Sequence, residues 1–101
     1  MKIIGIIPVR YHSTRFPGKP LVKILGKPMV QWVYEASLKS KFLNKVMIAT
    51  DDKRIFNSAK SFGADVVMTP RCNSGTDRIV FAAKKISCDI VVNIQGDEPL
   101  I

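Results

Sequence analysis

IIGIIPVRYHSTRFPGKPL, residues 3–21, changes character in its middle, and that change decides the fold. Ile3 to Pro8 is a short apolar, β-branched run, the pattern of a strand buried on both faces. From Pro8 to Leu21 a single connection gathers Arg10, Arg15 and Lys19, the hydroxyls of Ser13 and Thr14, and Gly18. A polar, cationic loop directly after a buried strand is where α/β proteins place ligand contacts. Arginine and lysine converge well on phosphate oxygens, with hydroxyls and backbone amides adding neutral donors. A triphosphate matches that density of donors. The plainer reading is a solvated surface loop.

Further along, Val46 to Thr50, Asp65 to Met68 and Ile90 to Ile94 repeat the short apolar run, and each reads as a strand buried on both faces. Helical signals lie between them. Pro28 opens a helix over about 28 to 40 with Met29, Val33 and Ala36 on its inner face. Asp51 is placed as N-cap of a second helix carrying Ile55 and Ala59, stopped by Gly63. Ser74 and Asp77 resemble a capping box ahead of a third helix near 75 to 86, with Ile79, Val80, Ala83 and Ile86. Strand, long loop, helix, strand, helix, strand, helix, strand is the order of a parallel, doubly wound α/β sheet with helices on both faces. No internal repeat, low-complexity tract or linker interrupts it.

The 101 residues are 47% hydrophobic, enough for one modest core in one domain. No apolar stretch approaches the roughly 20 residues that span a bilayer, and no membrane association is expected. The apolar start ends at Pro8 and Arg10 without a cleavage pattern, so it reads as a strand and not as a secretory signal. The net charge of +8 draws anions. Lys39, Lys41, Lys45, Lys84 and Lys85 fall on expected helix faces or ends, where solvation and the helix dipole account for them. Cys72 and Cys88 lack partners at zinc spacing and read as free thiols in a reducing, cytoplasmic setting. Clustered aromatic residues for stacking nucleic acid are lacking, so no nucleic-acid partner is expected. Gly18-Lys19 lacks the earlier glycine of a P-loop, and no G-x-G-x-x-G occurs. His12, the lone histidine, sits among arginines and receives no catalytic role. Met29, Trp32 and Tyr34 read as core or subunit contact, and Met47 and Met68 as strand residues.

Two further constellations stand at element ends. Asn73, Ser74, Gly75, Thr76, Asp77 and Arg78 open the third helix, where free amides and the dipole's positive end suit an anion. Arg78 is a cation in that first turn, unfavourable for the dipole unless an anion offsets it. Gln95-Gly96-Asp97-Glu98-Pro99 follows the last apolar run. A carboxylate there is well placed to hold magnesium, which takes one or two protein carboxylates beside phosphate oxygens and water. A polar turn closing the strand is the plainer alternative.

Taken together, IIPVRYHSTRFPGKPL, CNSGTDR and VVNIQGDEPLI resemble, in order and spacing, the 3-deoxy-manno-octulosonate (Kdo) cytidylyltransferase family, over the chain from its first strand to its last residue. The loop motif is shared with other sugar nucleotidyltransferases, whereas SGTDR joined to QGDEP is more particular. The resemblance implies a Rossmann-like sheet of the nucleotide-diphospho-sugar transferase type, incomplete here. Residues 1–101 would be the CTP-binding half, with the carboxyl-terminal half absent. It implies transfer of CMP from CTP to Kdo with release of pyrophosphate, in lipopolysaccharide biosynthesis, with Mg2+ as cofactor. By the same resemblance Arg10, Ser13, Arg15 and Lys19 bind the triphosphate. Asn73, Ser74, Gly75 and Thr76 read cytosine and ribose, Arg78 and Gln95 approach the sugar acid, and Asp97 binds the metal. Lys19, Arg10 and Asp97 form the catalytic set, and the full-length family is expected to be homodimeric.

Family members run to about twice this length, and the missing part normally supplies a second metal-binding aspartate and most of the sugar pocket. The isolated segment is therefore expected to be inactive or partial, with an open sheet edge and exposed apolar surface. The alternatives are a cytidylyltransferase for another sugar acid, of sialic acid type or amino-Kdo, and a non-catalytic nucleotide-binding fragment.

Overall fold

The computed structural model describes residues 1–11, 18–71, 75–86 and 88–94, with residues 75 and 76 described in their backbone only. In chain order the elements are β1 (Ile3–Val9), a 3-10 turn (Lys19–Leu21), β2 (Lys23–Ile24), β3 (Lys27–Pro28) and α1 (Met29–Leu38), followed by β4 (Lys45–Thr50), α2 (Lys53–Ser61), β5 (Val66–Met68), α3 (Gly75–Ala83) and β6 (Ile90–Asn93). Four strands form a parallel sheet in the order β5-β4-β1-β6. Ile4 pairs with Lys45 on one side of β1 and with Val91 on the other. The chain steps outward from β1 to β4 to β5, then returns through α3 to the far side of β1. That reversal sets the ligand crevice of such sheets outside the carboxyl ends of the central strands.

Helices cover both faces, as the alternation of elements anticipates. Ile7, Val9, Val46 and Ile48 point to the face carrying Val30, Val33 and Tyr34 of α1 and Ile55 and Ala59 of α2. Ile4, Ile6 and Ala49 point to the opposite face, against Ala82 and the half-buried Ile79 and Ala83 of α3. Successive strand residues alternate between faces, so two central strands supply two cores. Burial on both faces holds for β1 and β4 alone. On the outer strands Met68, Ile90 and Val92 are exposed, because among the described residues β5 and β6 have a neighbour on one side only. The open edge and exposed apolar surface are thus present.

Four helix details depart from expectation. The inner face of α1 is Val30, Val33 and Tyr34, one residue round from Met29, Val33 and Ala36, and Ala36 is exposed. Pro28 closes β3 and stands as the N-cap residue. The N-cap of α2 is Asp52, whose Oδ1 accepts from the Arg54 amide at 2.8 Å and the Ile55 amide at 3.2 Å. Asp51 is thereby left to another partner. At the other end Gly63, at φ 80°, lets the Gly63 amide reach Lys60 O and the Ala64 amide reach Ala59 O, the paired bonds of a Schellman stop. Helix α3 ends at Ala83, and the chain tightens over residues 84–86, where the Lys85 and Ile86 amides reach back three residues, to Ala82 and Ala83, instead of four. Ser74 and Cys72 lie outside the described residues, and Cys88 is a free, half-buried thiol.

The long connection also holds a hairpin that sequence reasoning missed. Strands β2 and β3 pair antiparallel around Leu25-Gly26, with φ 52° and 84°. Positive φ at both central residues defines the tight hairpin turn that favours Asn-Gly. Trp32 Nε1 donates to Ile24 O at 2.7 Å, and Lys27 pairs with Glu35 at 2.7 Å, so the hairpin is pinned to α1. The Lys27 hydrogen bond, with that of Gln31, holds the Glu35 carboxyl below its usual value. Leu25 is 89% exposed and gains no burial there to offset its left-handed backbone. Leu25→Asn is expected to raise stability by about 0.5 kcal/mol, read as a higher urea midpoint.

Candidate nucleotide site

All four parallel strands deliver their following residues to one edge of the sheet. Arg10 and Tyr11 follow β1, Asp51 and Asp52 follow β4, Thr69 follows β5, and Ile94 follows β6. The Ile94 amide donates to Ile6 O at 3.0 Å, so the last ladder carries on to Ile94.

The basic loop is closed at its base. The Gly18 amide donates to Tyr11 O at 2.7 Å, which brings together the chain entering and leaving residues 12–17. Arg10 stands immediately before this pair and Lys19 immediately after it, so two cations separated in sequence share one stem. Arg10 is exposed and Lys19 half-buried. Gly18 has φ 76° and begins the 3-10 turn, whose Leu21 amide returns to Gly18 O at 2.9 Å. From α2, the Arg54 guanidinium lies 3.3 Å from the centre of the Tyr11 ring. Arg54 also grips Asp52 through Nη2–Oδ2 at 2.7 Å and Nε–Oδ1 at 3.2 Å. Hydrogen bonds from the Arg54 side chain, then from the Ile55 and Arg54 amides, hold the Asp52 carboxyl below its ordinary range. The N-terminus of α2 is thus fastened to the stem of the basic loop, a contact legible only in three dimensions.

Arg78 is 4% exposed. Its Nη1 donates to Thr69 Oγ1 at 2.7 Å and lies 3.5 Å from Asp51 Oδ1. The cation in the first turn of α3 is offset by groups of this chain, and its guanidinium is turned to the ends of β4 and β5 instead of standing open to a ligand. Gly75 and Thr76 begin α3, so their amides belong to its unpaired first turn. The expected roles of Ser13, Arg15, Asn73, Ser74, Gln95 and Asp97 fall outside the described residues. Among the described residues no three His, Cys, Asp or Glu side chains gather as metal ligands. Nor is any helix long and apolar enough to cross a membrane.

A parallel sheet with helices on both faces, presenting a closed basic loop and a helix start at one edge, has the architecture of a nucleotidyltransferase. The chain belongs to the cytidylyltransferase family, whose model matches residues 4–101. It is 54% identical over 102 residues to 3-deoxy-manno-octulosonate cytidylyltransferase of Bdellovibrio bacteriovorus, covering 100% of this chain and 41% of that relative. The mitochondrial 3-deoxy-manno-octulosonate cytidylyltransferase of Arabidopsis thaliana is 53% identical over 103 residues, covering 99% of this chain and 36% of the plant protein. A solved structure of CMP:2-keto-3-deoxy-manno-octonic acid synthetase complexed with CTP superposes with a TM-score of 0.96 at 47% identity, over 100% of this chain and 42% of that one. The chain therefore spans less than half the length of these relatives.

Proposed function

We propose that these 101 residues form the CTP-binding half of an enzyme that transfers CMP from CTP to Kdo, giving CMP-Kdo and pyrophosphate for lipopolysaccharide biosynthesis. The observation that carries the reading is the closed stem at Tyr11 and Gly18 at the carboxyl end of β1, with Arg10 and Lys19 as the residues flanking it in the chain. Likeness to a synthetase complexed with CTP supports CTP as the nucleotide, and likeness to relatives named for Kdo supports the sugar acid.

In this reaction the sugar acid's anomeric hydroxyl forms a bond to the α-phosphorus and loses its proton, while the bond to the bridging oxygen breaks and pyrophosphate leaves. Such a transfer asks the protein mainly to position reactants and neutralise charge. Arg10, Arg15 and Lys19 would hold the triphosphate with help from Ser13, and Lys19 would offset the charge of the departing pyrophosphate. Asn73, Ser74, Gly75 and Thr76 would read cytosine and ribose, largely by backbone groups. Gln95 would approach the sugar acid. Asp97 would hold Mg2+, which when bound supplies positive charge to the phosphates. The segment is expected to bind CTP without turning it over. Dimerisation and a cytoplasmic setting belong to the same reading.

Calorimetric titration of the 101-residue chain with CTP, ATP and GTP in the presence of Mg2+ tests it. Saturable binding that favours CTP, weakens as salt rises and fails in Arg10→Ala is expected. Equal binding of all three nucleotides, or none, would overturn the reading. Pyrophosphate release from CTP and Kdo would instead overturn the expectation of binding without turnover.

A further inference from the structure

The resemblance brings Arg78 towards the sugar acid, but its surroundings give it different work. We propose that Arg78 is a positioning residue: through Thr69 and Asp51 it ties the first turn of α3 to the carboxyl ends of β4 and β5, and so sets the Gly75 and Thr76 amides for nucleotide. This rests on the CTP-binding reading above and goes beyond it in naming what holds the helix start in place.

The tie is built almost wholly from buried groups. Thr69 is 6% exposed and Thr50 fully buried. The Thr69 amide donates to Thr50 O at 2.8 Å, which fixes the residue after β5 to the last residue of β4. Thr50 Oγ1 accepts from the Asp52 amide at 3.2 Å, holding the Asp51-Asp52 turn. Thr69 Oγ1 then accepts from Arg78 at 2.7 Å, and Asp51 supplies the opposite charge at 3.5 Å. A buried guanidinium is rarely worth its desolvation as a source of stability, since an apolar replacement often serves as well. What it provides is a rigid fork with fixed directions. The same Thr50 anchors Asp52, which caps α2 and holds Arg54 against Tyr11. The helix start and the stem of the basic loop, the two segments proposed to bind nucleotide, are therefore referenced to one buried residue.

Two measurements on the 101-residue chain test this. The first is CTP affinity in Thr69→Val, Thr69→Ser, Arg78→Met and the Thr69→Val/Arg78→Met double variant, with thermal midpoints recorded for each. Thr69→Val is expected to weaken CTP about tenfold, the order of one hydrogen bond to a charged group, while Thr69→Ser, which keeps the hydroxyl, binds within about twofold of wild type. The double variant is expected to be no weaker than Arg78→Met alone, because the two residues act as one unit. If Arg78→Met loses affinity while Thr69→Val binds as wild type, Arg78 contacts the ligand itself and the proposal is wrong. The second measurement is amide hydrogen exchange, which needs no nucleotide. Thr69→Val is expected to speed exchange at the hydrogen-bonded amides of the second turn of α3, Ile79 to Ala82, about tenfold relative to α2, and Thr69→Ser to leave it unchanged. Unchanged exchange in Thr69→Val sinks the tie. Accelerated exchange in Thr69→Val together with a wild-type chain that binds no CTP keeps the tie and discards the nucleotide reading. Should Thr69→Val not fold, Arg78→Lys, which keeps the charge and loses the fork, is expected to show the same losses.

Discussion

Ile48→Ala is expected to cost about 2–5 kcal/mol of folding stability, enough to remove most of the margin that keeps the chain folded at room temperature. Ile48 is fully buried at the middle of β4, paired with Ile7 on one side and Val66 on the other. Its side chain belongs to the core shared by α1 and α2, with Val33, Ile55 and Ala59. Those partners belong to two separate helices packed on the strand, so truncation leaves a cavity that neither helix can fill without moving from the other. A domain of this size has roughly 5–15 kcal/mol in total, and exposed Ile90 and Val92 on an outer strand place this one towards the low end. Ile48→Val, which removes one methyl group, should cost about 0.5–1.5 kcal/mol and remain folded. Urea denaturation followed by circular dichroism measures both. A loss below about 1 kcal/mol for Ile48→Ala would mean that this core is not what holds the sheet together.

The contrast between strands explains how much could be read in advance. Central strands buried on both faces must be apolar at every position, so Ile3 to Pro8 and Val46 to Thr50 stand out unaided. Burial on the outer strands is decided by what lies beside them, and the runs at Val66 and Ile90 are alike whether or not a neighbour is present. Tandem Asp51 and Asp52 are equally good caps by composition, and the choice between them depends on where β4 stops. The Leu25-Gly26 hairpin was hidden because Leu stands where Asn usually signals the turn. Of the candidate site, Arg10, Lys19 and Arg78 stand out in the sequence as misfits: cations in a connection after a buried strand, and a cation in a helix's first turn. Thr50, Thr69 and Asp51 carried no such mark. Threonine ending a strand is ordinary, and its part in holding Arg78 exists only once three strand ends are side by side.

Gly18→Ala is expected to lower stability by about 1–2 kcal/mol and CTP affinity about tenfold, a larger functional effect than removing any one exposed lysine. Two costs combine at this position. The backbone has φ 76°, which a side chain disfavours, and an added Cβ would stand 3.0 Å from Tyr11 Oη and 3.1 Å from Cζ. Tyr11 must then shift, yet its ring carries the Arg54 guanidinium at 3.3 Å and its carbonyl accepts the Gly18 amide at 2.7 Å. A shift of the ring that relieves the contact disturbs its stacking with Arg54, and the strained backbone at residue 18 weakens the bond that closes the stem between Arg10 and Lys19. Gly26 supplies the control, with φ 84° and nothing within 4 Å of an added Cβ. Gly26→Ala should meet the backbone cost alone, losing about 1 kcal/mol of stability and no CTP affinity. Paired thermal melts and CTP titrations of the two variants separate the contributions. If both lose affinity equally, or neither does, the Tyr11–Gly18 stem does not organise the cations, and the basic loop binds nucleotide by charge alone.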